Sequence, residues 1–514
     1  MNFDRHRPNF PAGRGDAHLP RLVRDLKKHL LKTRRQLAQD MLRLNTAELE
    51  ALAHMLVEMA EDLHNDIGLW RALEQYNREF FGVSLPLTGS SDLADETPPL
   101  AERLAHFMWI FYAELDPDLT LPPTHPDLRR LADSAAHFLA PRLARILPDS
   151  GVKHFLTSPG KEGWDIKRKL VWLGTQSYLF RFSFQNYIAG NEGQVEINTI
   201  DDFICQNTTA WSGLGVIDIL AGVLDLTPAE QSDLRHWYER HAAFYRVERV
   251  EGKNRLHLTN LINDTPYVVH MDGNAPAFKP KQVVYGSLTP WHGAWCWSGT
   301  QQSWKEFPPD LIQEQRKHMQ QRLPGIVYRY DKELLAEAEA MLARHKQMFA
   351  DYHGADLAVF PNGKSMAAAM QDMYHKYNKT MAAATGTTES MPPHGPSANY
   401  PPELVNSSNG LAVYFNPGEG VEIVTEYNTL VSGLQKRGRE LIEDEIWTIQ
   451  GVIRSEVISP QLMQRLAAEY GPESIAEAFL IRQHLDQPYL AYLLRRYKGA
   501  YYRRRYPNMG MVYP

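Results

Sequence analysis

Near the middle of this chain the spacing of apolar residues changes period, from three-to-four to two, and later changes back. A pattern of period two cannot bury its apolar residues as a helix, so the switch restricts the fold to a block of strands set among helices. The block runs as five short segments: Tyr245 to Val250, Leu256 to Ile262, Tyr267 to Met271, Gln282 to Leu288 and Trp295 to Trp297. Gly252 with Asn254, Asn263-Asp264, Asp272-Gly273-Asn274 and Gly286 punctuate them, and these are residue types that turns use. Strands at this spacing predict a small antiparallel β-barrel or a curled sheet.

On either side the pattern is helical. Leu49, Leu52, Leu56, Leu63 and Ile67 recur at three-to-four spacing, with Thr46 placed to cap the first turn. Thr227-Pro228-Ala229-Glu230 joins a capping threonine, a proline at the first helical position and a glutamate that reaches back, which predicts a helix through Phe244. Ile166 to Phe182 is nearly apolar after its start and reads as a central buried helix. Beyond the strand block, helix resumes near Asp310, breaks at Pro324-Gly325 and continues from Leu334 to Phe349. A strand at Leu357 to Phe360, a helix from Ser365 to Tyr377 and a hairpin of Leu411 to Phe415 with Val421 to Val424 follow.

The fold class is therefore α+β and predominantly helical, with an N-terminal helical domain, a central small antiparallel β-barrel or curled sheet, and a C-terminal α+β region. A chain of 514 residues exceeds what one hydrophobic core serves, so several domains are expected. Their expected bounds are a helical domain over 17–244, a small barrel-like domain over 245–307 and a helical region with one strand over 308–379. A Gly/Ser/Thr/Pro-rich flexible linker over 380–403 and a final region over 404–514, with the hairpin and a basic C-terminal helix, complete the chain.

No apolar run is long enough for a signal sequence or a membrane span, which points to the cytoplasm and away from membranes. Cys205 and Cys296, the only cysteines, exclude a disulfide framework and suit a reducing compartment.

The formal charge of −6 is unevenly spread, because the stretch from Ile481 onward carries +6 and leaves −12 to the rest. Within it Arg495, Arg496, Lys498, Arg503, Arg504 and Arg505 alternate with Tyr492, Tyr497, Tyr501, Tyr502 and Tyr506. On a helical wheel Leu490, Leu493, Leu494, Tyr497 and Tyr501 gather on one side, while Arg495, Arg496, Arg503, Tyr492, Tyr502 and Tyr506 gather opposite. Arginine forks onto phosphate and tyrosine stacks on bases, so Arg495, Arg496, Lys498, Tyr502, Arg503, Arg504 and Arg505 are candidate nucleic-acid or anion-binding residues. Two other readings stand beside this one: an acidic protein surface as partner, and an internal clamp on the chain's own carboxylates. Gly499 would weaken a continuous helix there.

Trp291, Trp295 and Trp297 hold alternate positions and form an aromatic platform if the segment is extended; barrel core is the competing use. His292 and Cys296 would stand roughly 13 Å apart in a strand, too far for a thiol–imidazole dyad unless Gly293 folds the chain back. Glu58, Glu61 and His64 give one Glu-x-x-His unit, whereas a di-metal centre needs two and Asp233-x-x-His236 offers only a degenerate partner; a solvated polar face is the competing reading, and no metal is assigned. Gly363-Lys364-Ser365 follows a strand, but a phosphate loop would need glycine at Ala358 and an amide at Pro361; an Asn-Gly turn with a Ser365 cap explains the same residues. Gly418-Glu419-Gly420 reads as a hairpin turn. No residue set defines catalysis, and no cofactor is called for.

The expected function is that of a non-catalytic binding or adaptor protein contacting RNA or single-stranded DNA through the Arg/Tyr-rich tail. The alternatives are a protein–protein scaffold and an enzyme whose site is assembled from distant residues around the Trp/His-rich β segment, with His292, Trp291 and the Glu61/His64 pair as its candidates.

Overall fold

The computed structural model describes residues 6–39, 42–88, 98–159, 163–191, 193, 195–271, 273–304, 308–322, 324–328, 331–385, 400–481, 488–503 and 505–507. They group into two units, Met1–Phe307 with Gln483–Tyr492, and Pro308–Arg482 with Leu493–Pro514.

In the first unit the helices are α1 (Leu19–Thr33), α2 (Thr46–Asn65), α3 (Leu69–Phe81), α4 (Leu100–Leu115), α5 (Pro126–Leu143), α6 (Gly151–Thr157), α7 (Gly163–Gln176), α8 (Arg181–Gly190), α9 (Ile197–Gln206), α10 (Val216–Val223) and α11 (Pro228–Arg235). The cap of α2 is Asn45 and not Thr46: Asn45 Oδ1 accepts from the N–H groups of Ala47 and Glu48, and Glu48 accepts from the Asn45 N–H at 2.7 Å. Asparagine is the better acceptor at that position, and threonine is tolerated one residue in. The Thr227/Glu230 box forms as expected.

Two helices are shorter than their sequence pattern suggests. α11 ends at Arg235, residues His236–Glu239 tighten into a 3-10 turn, and a strand starts at Ala242 because Ala243, Tyr245 and Val247 alternate into a core. The segment Ile166 to Phe182 is split between α7 and α8. Ser177 bonds back to the Leu173 carbonyl and Arg181 to the Gln176 carbonyl, which closes the turn between them.

The strands of this unit are β1 (Ala242–Glu251), β2 (Arg255–Asn260), β3 (Pro266–His270), β4 (Val283–Trp291), β5 (Ala294–Trp297) and β6 (Gln302–Trp304). They pair in the order β1-β2-β3-β5-β4, and β4 returns to β1, closing a five-stranded barrel with β6 added on β4. β1 to β3 form a meander and a longer connection carries β4 back beside β1, a Greek-key arrangement. The barrel is mixed, not wholly antiparallel, since β3 and β5 run parallel at Val269 and Trp295. A closed ring with an odd number of strands cannot alternate direction all the way round, so one pair must run parallel. Its interior holds Val247, Leu256, Leu258 and Val269 with Tyr245, which meets Tyr267 and Trp297 edge-on at 5.8 and 5.7 Å. Such ring pairs add about 0.5–1.5 kcal/mol beyond the area they bury.

In the second unit the helices are α12 (Pro309–Arg322), α13 (Pro324–Tyr328), α14 (Lys332–His353), α15 (Gly363–Thr385), α16 (Pro402–Asn406), α17 (Tyr427–Gln435), α18 (Glu443–Arg454), α19 (Pro460–Tyr470) and α20 (Glu473–Ala478). An antiparallel sheet of β7 (Leu357–Phe360), β8 (Leu411–Asn416) and β9 (Gly420–Val424) shares a core with α14, α15 and α16, built from Phe349, Met366, Met370, Leu411, Val413 and Phe415 among others. The stretch expected as a linker over 380–403 is helical at both ends, because α15 continues into the helix-forming run Met381 to Ala384 and α16 starts at Pro402. Residues 386–399 lie outside the described residues. α21 (Tyr489–Tyr497) is the last α-helix among the described residues, and a 3-10 turn over Gly499–Tyr502 follows. Among the described residues no helix is long and apolar enough to cross a membrane.

Candidate functional site

Between β4 and β5 the chain turns on two residues, His292 and Gly293, with φ of 51° and 72°. Positive φ at both positions is what a tight hairpin of the I′ type demands. Histidine holds this conformation because it is anchored: its N–H donates to Asp233 at 2.8 Å, its ring bonds Glu230 at 2.8 Å, and the ring stacks on Trp291 at 4.8 Å. The indole of Trp237 donates to the Pro290 carbonyl at 2.7 Å and fixes the same hairpin on its β4 side.

The turn decides where the tryptophans go. Register places Trp291 beside Ala294 and Thr289 beside Cys296 on one face, and Pro290 beside Trp295 and Leu288 beside Trp297 on the other. One three-ring platform therefore does not form. Trp295 meets Tyr267 edge-on at 4.6 Å and Trp297 meets Tyr245, both half-buried on the face that carries those tyrosines. Trp297 also lies across β4, where a side chain at Gly286 would fall 2.8 Å from its ring.

Where this hairpin faces α7 there is a cavity of about 410 Å³, bordered by Trp164 and Lys167 of α7 and by Trp291, His292, Cys296 and Trp297. Trp164 is 58% exposed, whereas Trp291 is 4% exposed. The indole N–H groups of Trp291 and Trp297 are buried and have no acceptor. No acidic residue is among the described residues that line the cavity.

Beneath it lies a buried ionic knot. Lys167 donates to Asp201 and, at 2.7 Å, to Ser298 Oγ; Ser298 donates to Asp201 at 3.1 Å and accepts from Arg240 at 3.2 Å. Arg240 pairs with Asp201 at 3.0 Å and Asp202 at 3.1 Å. Burial holds the Lys167 ammonium below the usual lysine range while Asp201 pulls the other way, and burial pushes the Cys205 thiol up to about 12. The Ser298 hydroxyl has its one proton and both lone pairs engaged, the signature of a structural joint and not of a nucleophile. Two cations and two carboxylates balance in charge.

The other sequence candidates are dispersed. Glu58 pairs with Arg181 at 3.0 Å, Glu61 with Arg7 at 2.5 Å and with Ser150, and His64 bonds the Ile146 carbonyl. Glu61 is buried while Glu58 and His64 are half-buried, and each is held by a partner of its own, so they do not form the solvated face. Asn362, not Ser365, caps α15, and a side chain at Gly363 would collide with the Leu404 carbonyl, so chain fills the space a phosphate would need.

In the tail the α-helix stops at Tyr497, so the wheel does not extend past Gly499. Lys498 is buried, its Nζ donating to the carbonyls of Val452 and Ser455. Arg505 forks onto Glu419, and Arg495 lies over the Tyr502 ring at 4.5 Å. Arg496 is buried over Tyr497, and Arg503 is half-buried. Tyr492 and Tyr506, placed outward by the wheel, are buried against Trp109 and Tyr328. Arg504 lies outside the described residues.

Comparison with protein-family models, with curated proteins and with solved structures gives no match. Sequence reasoning singled out Trp291, Trp297 and His292 but missed Trp164 and Lys167. The available signal was their three-residue spacing on one helix face; nothing local tied Lys167 to Asp201 or to Ser298.

Proposed function

We propose that this is a binding protein whose ligand seats in the cavity between α7 and the β4–β5 hairpin. The observation that carries this reading is the pair of buried, unpaired indole N–H groups of Trp291 and Trp297 at a cavity of small-molecule size. A buried donor without an acceptor costs about 1–3 kcal/mol, and a bound acceptor would recover it. Greek-key barrels of five strands serve elsewhere as frames for oligonucleotides and oligosaccharides, an analogy of architecture only. The reading is tested by titrating the full chain with nucleotides, aromatic acids and sugars while following tryptophan fluorescence and thermal midpoint. A ligand that raises the midpoint and quenches Trp164 is expected, and the quench should vanish in Trp164→Ala. A panel without effect on either signal rejects it.

Nucleic-acid contact through the tail is a second proposal, supported by the half-buried Arg495 guanidinium over the exposed Tyr502 ring. Lys498 is buried on the carbonyls of Val452 and Ser455 and Arg505 pairs with Glu419 at the surface, so the proposal is placed on Arg495, Tyr502 and Arg503. Its test is the salt dependence of binding to a single-stranded oligonucleotide, with Arg495→Glu expected to reduce the log–log slope by about 0.7. A slope unchanged by that substitution removes the tail from the interface.

A further inference from the structure

Among the described residues that line the cavity, the buried polar atoms without a partner are the indole N–H groups of Trp291 and Trp297, both donors. Besides the two indoles, Lys167 has three N–H groups and uses two, on Asp201 and Ser298, so its third lacks an acceptor among the described residues. The first turn of α7, Gly163 onward, borders the same space and adds the positive end of a helix of 14 residues. Trp164 and Lys167 are three residues apart on that helix, so an exposed ring and a buried ammonium border the cavity from one helix face.

From this we infer that the ligand joins a planar ring to an oxyanion, as a nucleoside monophosphate does, with the oxyanion against Lys167, Trp291 Nε1 and the start of α7 and the ring against Trp164. The inference rests on the cavity reading above. N–H donors bind an anionic oxygen about twice as strongly as a neutral one, and an indole face accepts any base. The knot beneath is neutral as a whole, so affinity comes from aimed donors and not from net charge, and binding depends only weakly on salt.

Calorimetric titrations with adenosine 5′-monophosphate, adenosine, inorganic phosphate and a 5′-phosphorylated tetranucleotide test it. The monophosphate is expected to bind at least about tenfold more tightly than adenosine and more tightly than phosphate. Trp164→Ala should weaken it about tenfold without moving the thermal midpoint, and Trp291→Phe, which keeps a ring and deletes the N–H, should narrow the gap between monophosphate and nucleoside. A tetranucleotide that binds more tightly than the monophosphate makes a strand end the source of the group; equal affinity makes it a free nucleotide. Equal affinity for adenosine and its monophosphate overturns the oxyanion while leaving the cavity reading standing. No binding by any probe, with no response to the wider ligand panel either, overturns both.

Discussion

The Nζ of Lys167 lies 2.7 Å from the Oγ of Ser298, which joins the second turn of α7 to the residue that follows β5. One side chain therefore forms part of the cavity wall and part of the joint between helices and barrel. The joint holds because Asp201 of α9 receives both Lys167 and Arg240, and its strength can be measured apart from any ligand.

Asp201→Ala leaves two buried cations without their shared carboxylate. Breaking a buried ionic network by removing one partner costs about 3–5 kcal/mol. The variant should lose that much in urea denaturation followed by tryptophan emission of the first unit. Arg246→Ala, which removes an exposed pair with Glu248, should stay within about 0.5 kcal/mol of the parent. Equal losses for the two substitutions would show that the knot contributes nothing special.

Gly286→Ala tests the aromatic packing at the site. Its new Cβ would press on the Trp297 ring at 2.8 Å, so the indole must tilt away from β4. Overpacking of this kind costs about 1–3 kcal/mol. Near-ultraviolet dichroism should report a changed tryptophan environment, and a ligand seated in the cavity should bind more weakly. An unaltered spectrum would mean that Trp297 is not fixed on that strand.

Asn45→Ala removes the acceptor for two N–H groups at the start of α2 and dissolves the reciprocal bond from Glu48. Loss of such a cap costs about 1 kcal/mol. Thr46→Ala should cost markedly less, because Thr46 is the first helical residue and does not cap. The reverse order would restore the threonine as the cap.

Much of this architecture is legible in the sequence because it is local. All five barrel strands fall where alternation puts them, although Gly286 lies inside β4 and not at a turn, and the hairpin of β8 and β9 falls in place too. The closure of β4 on β1 and the parallel pairing of Val269 with Trp295 depend on which strands meet, which alternation does not encode. The face each tryptophan takes hinges on His292 adopting positive φ, a conformation that its anchors on α11 make tolerable and that sequence alone gives no reason to expect. Lys167 and Asp201 are separated by 34 residues, Lys167 and Ser298 by 131, so the knot leaves no local signature. The tail's alternation of arginine and tyrosine was visible, but composition does not say that Lys498 turns inward.

That inward lysine yields a prediction in pH. Burial lowers the Lys498 ammonium from its ordinary 10.5 to about 7, against the raising influence of Glu422 and Glu456. A neutral amine has two N–H groups, and the carbonyls of Val452 and Ser455 take both. Between about 7 and 10.5 the unfolded chain holds a proton that the folded chain has released, so stability of the second unit rises with pH across that window. Below about 7 both states are protonated and the penalty for burying the charge is fully present. Lys498→Met has no such group to titrate, so its stability should lack this rise. At the alkaline end it should fall below the parent by about 1–3 kcal/mol, because two carbonyls lose their donor. Chemical denaturation of both proteins from pH 6 to pH 10, followed by a probe placed in the second unit, gives the difference directly. Two stability curves that run parallel across that range would mean that Lys498 keeps its proton in the fold.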